Sequence, residues 1–277
     1  MTAAGPPAPS PLDWDLGNIP PGIPWGGVDE AGRGAWAGPV VAACAVLDPG
    51  TAARWEHVLR AARDSKQLVP ERREALAAEL KMILPAWAVG EVDNLGIDRD
   101  NLLEASLAAM RQAVAAVRPR PRILLVDGNR PPRSGLPERL VVDGDALSCA
   151  VACASILAKT HRDALMGDLD RRYPGYGFAR HKGYGTPGHR RALRELGACP
   201  VHRLSYAPVA ALARPEREAW AALAARMEGC ASVAELQAWV EQALRPAYGR
   251  LQEAWVADLR GRYGERLALL AAGGRAR

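Results

Sequence analysis

The sequence has a single phenylalanine, four lysines and no apolar run approaching a membrane span. A bilayer-crossing helix needs about 18 or more consecutive apolar residues, and the most evident apolar run here, Val40 to Leu47, is far shorter. No membrane association is therefore expected. The first residues lack the basic start and apolar stretch of a secretory signal, so the expected location is the cytoplasm. Cysteine is sparse, odd in number at five, and scattered, which argues against a disulfide framework and for reduced thiols. Against these shortages, 49% of the 277 residues are hydrophobic and 24% are charged, enough apolar material for a sizeable core. A wholly disordered chain is excluded.

Basic residues outnumber acidic ones by 36 to 31, and arginine supplies all but four of them. A net charge of +5 on this length says little about partners. Its distribution says more. Between Arg171 and Arg203, eight Lys or Arg stand against one Glu, with His181, His189 and His202 interleaved. Phosphate is the simplest partner of such a stripe, although a solvated arginine-rich surface has the same composition.

Residues 1–24 hold seven prolines and few large apolar groups, the composition of a flexible leader. Short runs of small and β-branched residues at Val40–Leu47, Trp87–Val92, Ile123–Val126 and Leu140–Val142 predict strands. Helical spacing marks Glu71–Leu84 and Asn101–Val117, and a long helix is expected over Ala146–Leu169. Strands first, then strands alternating with helices, predict an α/β layer fold with a mixed sheet over residues 25–212. Residues 213–277 then read as a helical extension of three helices. Ser232 with Glu235 forms a capping-box pattern before the second, and Pro246 suits the start of the third. Trp220, Trp239 and Trp255 are anchors that would bury against the main domain or a protein partner.

Acids stand at the ends of predicted elements. Asp29 and Glu30 follow Val28, Asp127 directly follows Ile123–Val126, and Asp145 precedes the long helix. Side chains at the ends of neighbouring strands converge in α/β sheets. Four ionised carboxylates in one place repel one another and raise their pKa values, and two divalent cations relieve the conflict. Oxygen ligands favour Mg²⁺ or Mn²⁺ over zinc. Such a centre suits two-metal phosphodiester hydrolysis, in which one ion prepares the attacking water and the other stabilises the leaving oxygen.

An Asp after a strand also serves as a turn residue or helix cap, and Asp145 is well placed to cap. Alternation puts Asp29 and Glu30 on opposite faces of a regular strand. Gly32 and Gly34 just beyond them suggest a bend or bulge; otherwise Glu30 contributes at longer range or through its carbonyl. Two lesser patterns have plainer readings. Cys149 and Cys153 share a helix face, as a redox pair or metal site would, but also as buried small residues do. Cys199 and His202 have zinc-like spacing without a second half.

Six motifs occur in an order that resembles the type 2 ribonucleases H, the ribonuclease HII family. They begin with Gly27-Val28-Asp29-Glu30-Ala31-Gly32-Arg33-Gly34 followed by Gly38-Pro39, then Asp64-Ser65-Lys66-Gln67-Leu68 and Val126-Asp127-Gly128-Asn129. Gly144-Asp145 follows with Ala154 to Lys159 and Arg162-Asp163, then His181-Lys182-Gly183-Tyr184-Gly185-Thr186, then His202 to Pro208. The resemblance covers about residues 25 to 210.

It implies a ribonuclease H-like mixed sheet flanked by helices, acting on RNA–DNA hybrids and on single ribonucleotides embedded in duplex DNA. The metal-binding acids correspond to Asp29, Glu30, Asp127 and Asp145. Gly32, Arg33 and Gly34 correspond to the segment that reads the ribose 2′-OH, and Tyr184 to the tyrosine that supports it. Lys66, Lys159 and Lys182 are candidate phosphate contacts, and a monomer is expected. The chain departs from the family's usual pattern at Leu147, Ala150 and Tyr206. Two other classes compete: a resolvase- or transposase-like nuclease, which has no reason to read a 2′-OH, and a non-catalytic nucleic-acid-binding protein, for which stacked carboxylates near phosphate would be costly.

Overall fold

β1 (Trp25–Ala31), β2 (Val40–Leu47), β3 (Ala86–Val92), β4 (Ile123–Asp127) and β5 (Glu138–Val141) form one sheet in the order β3-β2-β1-β4-β5. The computed structural model describes residues 10–62, 69–212, 216–248, 251 and 253–273. β1, β2 and β3 pair antiparallel, whereas β4 and β5 run parallel to β1, giving the expected mixed sheet. β2 is buried along its whole length because both sides of the sheet are covered. Val41, Ala43, Ala45 and Leu47 face one core, and Val40, Ala42, Cys44 and Val46 face the other.

Five helices of the main domain bear on the site: α1 (Pro11–Asn18), α2 (Pro70–Ile83), α3 (Leu102–Ala116), α4 (Gly144–Leu147) and α5 (Cys149–Arg172). α5 lies on the first core and α3 on the second. Gly27 admits α5 closely, since a Cβ there would stand 2.0 Å from the Ala150 carbonyl carbon. The long helix expected from Ala146 is two helices. Ser148 between them is extended, and its side chain caps α5 by accepting from Val151 N–H.

The expectation of a flexible leader through residue 24 is corrected from Ser10 onward. Ser10 and Asp13 cap α1 reciprocally, with Pro11 in its first turn, where a missing N–H costs nothing. Leu12 and Asp15 are buried. The Asp15 carboxylate accepts from Trp25 Nε1 at 3.1 Å and from Ala150 N–H at 2.9 Å, tying α1 to β1 and to α5. Proline content signalled a loop where it marks a helix start.

The extension contains α6 (Glu216–Glu228), α7 (Val233–Trp239, continued as a π turn over Val240–Leu244) and α8 (Glu253–Gly273). Ser232 caps α7 as its pattern suggested. Pro246 instead lies in a short turn, Arg245–Ala247, and the third helix starts at Glu253. Trp220, Trp239 and Trp255 bury into a core of the extension itself rather than into that of the main domain. A buried acid joins the two parts: Asp258 accepts from Trp220 Nε1 and Arg262 Nε within the extension, and from Arg172 and Tyr173 across the junction. Among the described residues, no helix is long and apolar enough to cross a membrane.

Candidate active site

Parallel pairing of β1 with β4 ends at Val28 opposite Val126. The next residue of each strand, Asp29 and Asp127, therefore lies where this pairing stops, at the end of β4 and two residues before the end of β1. Antiparallel pairing of β1 with β2 stays regular through Ala31, so the bend or bulge expected beside Glu30 is absent. Glu30 nevertheless joins the acids. One carboxylate oxygen from each of Asp29, Glu30 and Asp127 lies within 4.8 Å of the others. The β1–β4 pairing stops at Val28, one residue before the first of these acids.

Asp29 and Asp127 are oriented by backbone, accepting from Glu30 N–H and Gly144 N–H, each at 2.7 Å. Asp145 stands outside this three-carboxylate group but is connected to it through Lys159. The Lys159 Nζ lies 3.9 Å from Asp29 Oδ2 and 4.0 Å from Asp145 Oδ2, and hydrogen-bonds Ser155. Asp145 does not cap a helix. It sits in the first turn of α4, whose N-cap is Asp143 in the left-handed region.

Burial, helped by the Glu30 charge, pushes Asp29 up to about 7; Lys159 and Ser155 oppose the rise. Glu30 is raised too, chiefly by burial, with Arg33 at 3.1 Å holding it down. The donor set is hard oxygen, and its mutual repulsion is of the kind a divalent cation removes. The residues fit such an ion.

A groove of about 520 Å³ opens beside the acids, lined by Glu30, the Gly32–Gly34 segment and several basic side chains, including Arg33, Arg73, Lys159, Arg180 and Lys182. Gly32 has φ +92°, and a Cβ there would fall 1.9 Å from the Arg162 Nε, so only glycine fits. Lys66 lies outside the described residues. Tyr184 stands on the groove wall at 43% exposure, bridged to Ala35, with the Arg162 guanidinium against its ring.

Two buried arginines hold this wall, and sequence reading gave them no role. Arg162 donates to the carbonyls of Pro39, Ala37 and Lys182. Arg203 donates to those of Gly38, Pro39 and Arg33, and the Tyr206 hydroxyl also donates to the Arg33 carbonyl. Both arginines stand in motifs, but spacing does not reveal that they are buried. The stripe from Arg171 to Arg203 divides likewise: its other basic residues reach the surface, whereas Arg203, His189 and His202 are buried. The Cys199 sulfur lies 3.1 Å from His202 Nδ1, and Cys149 and Cys153 are buried free thiols in the α5 core.

The ribonuclease HII family profile spans residues 26–209. A ribonuclease HII of Halorhodospira halophila is 53% identical over 190 residues, 67% of this chain and 93% of that protein. One of Polaromonas sp. is 46% identical over 205 residues, 74% and 98% of the two chains. For one of Myxococcus xanthus the figures are 50% over 184 residues, 66% of this chain and 61% of that protein. The crystal structure of ribonuclease H2 from Pyrococcus horikoshii matches with a TM-score of 0.61 at 28% identity, over 70% of this chain and 98% of that one. RNase HII of Archaeoglobus fulgidus, solved in a complex with PCNA, matches with a TM-score of 0.58 at 26% identity, over 69% and 97%.

Proposed function

The chain belongs to the ribonuclease HII family of endonucleases, and on that footing we propose that it cuts the RNA strand of RNA–DNA hybrids and single ribonucleotides embedded in duplex DNA. The observation that carries this reading is the meeting of Asp29, Glu30 and Asp127 within 4.8 Å, beside a basic groove walled by Gly32–Gly34. Asp29, Glu30 and Asp127 would hold Mg²⁺ or Mn²⁺, with Asp145 completing the set for a second ion. Bound there, the ions would polarise the attacking water and stabilise the leaving oxygen.

The chain's own groups do the rest. Gly32 and Gly34 bring backbone close to a sugar, whose 2′-OH both donates and accepts. Arg33 offers its fork to the neighbouring phosphate, with Lys159, Lys182 and, at the corresponding family position, Lys66 as further cations. The exposed Tyr184 ring packs on the adjacent deoxyribose, where no hydroxyl obstructs it. We assign catalysis to residues 25–212, and to the helical extension a cap on that domain or a protein partner, in a protein acting as a monomer in the cytoplasm.

Incubation with Mg²⁺ and three duplexes tests the reading: all-DNA, DNA with one ribonucleotide, and RNA–DNA hybrid. Cutting of the second and third alone is expected. Equal cutting of all-DNA favours a resolvase-like nuclease, and binding without any cutting favours a non-catalytic protein.

A further inference from the structure

Two buried histidines form a hydrogen-bonded chain that ends on the backbone of Tyr184, and the Tyr184 carbonyl sets its proton positions. Cys199 N–H donates to His202 Nδ1 at 3.0 Å, and the Cys199 carbonyl lies 3.3 Å from the same nitrogen. His202 Nε2 meets His189 Nε2 at 3.0 Å. At the far end, His189 Nδ1 lies 3.0 Å from the Tyr184 carbonyl, which can only accept. His189 therefore donates from Nδ1 and accepts at Nε2, which puts the proton of His202 on its Nε2 and leaves Nδ1 to accept from Cys199 N–H. Burial pushes the His189 pKa down to about 4, which keeps the ring neutral.

The surroundings brace the same turn. His181 stacks on His189 with ring centroids 4.4 Å apart, donates to the Tyr176 carbonyl and accepts from Gly183 N–H. Tyr184 bridges Ala35, and His202 bridges Ala37, two positions along one segment. The histidine chain thus joins the two strips that flank the Gly32–Gly38 loop. His189 and His202 are wholly buried, so neither touches nucleic acid, whereas Tyr184 is exposed on the groove.

We infer that His189, backed by His202, is a positioning residue for ribonucleotide recognition: it holds the Tyr184 turn, and with it the ring, against the glycine-flanked loop. This inference rests on the proposed role of Tyr184 as a reader of the sugar.

His189→Phe preserves ring volume and breaks both hydrogen bonds. Turnover (kcat) on the single-ribonucleotide duplex should fall about tenfold, the scale of one lost positioning hydrogen bond, with KM and all-DNA affinity within about twofold of wild type. His189→Asn, whose amide keeps a donor for the Tyr184 carbonyl, should recover most of the loss. In a Tyr184→Ala background, His189→Phe should cost nothing further, because the ring it positions is gone. A purely structural role would lower the thermal midpoint without producing the rescue or the non-additivity.

A folded His189→Phe with wild-type kcat, or a fully additive double variant, overturns the proposal. Tyr184→Ala with wild-type kcat removes the reading of Tyr184 itself, and the positioning role with it. If His189→Phe does not fold, the comparison passes to His202→Leu, which loses the outer donor, and His202→Gln, which keeps one. The leucine variant should lose turnover and the glutamine variant retain it; equal turnover of the two refutes the chain.

Discussion

The Lys159 ammonium stands 3.9 Å from the Asp29 carboxylate, so the acid cluster carries a cation supplied by the chain itself. Lys159→Met keeps the aliphatic stem and removes that charge. In EDTA the variant should lose about 1 kcal/mol, the scale of a partly exposed pair at this distance, because the carboxylates then repel one another with less relief. Mg²⁺ should raise its thermal midpoint by more than that of wild type. An unchanged midpoint in EDTA would show that the ammonium does not balance the cluster.

Asp29→Asn should abolish cleavage and stabilise the metal-free protein in a pH-dependent way. The folded-state pKa of Asp29 is raised from 3.8 to about 7. A raised acid favours the folded state fully below its unfolded value and loses that contribution as pH climbs through the folded value. The midpoint advantage of the asparagine variant in EDTA should therefore grow from about pH 4 to about pH 7 and then level off. An advantage that shrinks with pH would reverse the assigned cause.

Asp15→Ala should destabilise the main domain although it lies in the proline-rich N-terminal stretch. The substitution leaves Trp25 Nε1 and Ala150 N–H without their buried acceptor, at about 1–3 kcal/mol for an unsatisfied group. Chemical denaturation monitored by tryptophan fluorescence would measure the loss. No change would mean that α1 is not part of the folding unit.

A chain ending at Ala213 should still cut a single-ribonucleotide duplex, with a lower thermal midpoint. The acids and the groove lie before that point, while loss of Asp258 removes the partner of Arg172 and Tyr173. A folded, soluble truncated chain with no cleavage at any enzyme concentration would place part of the active site in the extension.

Local patterning alone marked the buried strands and singled out the acids at element ends as candidates. The run Val40–Leu47 predicts a strand buried on both sides and forms one. Asp127 ends its strand because the apolar run Ile123–Val126 stops there. Tertiary structure decided what depends on register and on distant segments. Glu30 meets Asp29 and Asp127 without a bulge, beside the point where the pairing of β1 with β4 stops, a register that no local pattern specifies. Asp145 faces Lys159 rather than capping a helix because the helix is interrupted at Ser148, which caps α5 in its place. Arg162 and Arg203 are buried because carbonyls of residues 33–39, more than a hundred positions away, surround their guanidinium groups. A burial pattern is written in neighbouring residues, whereas a hydrogen bond between segments that far apart exists only once the sheet and α5 have brought them together.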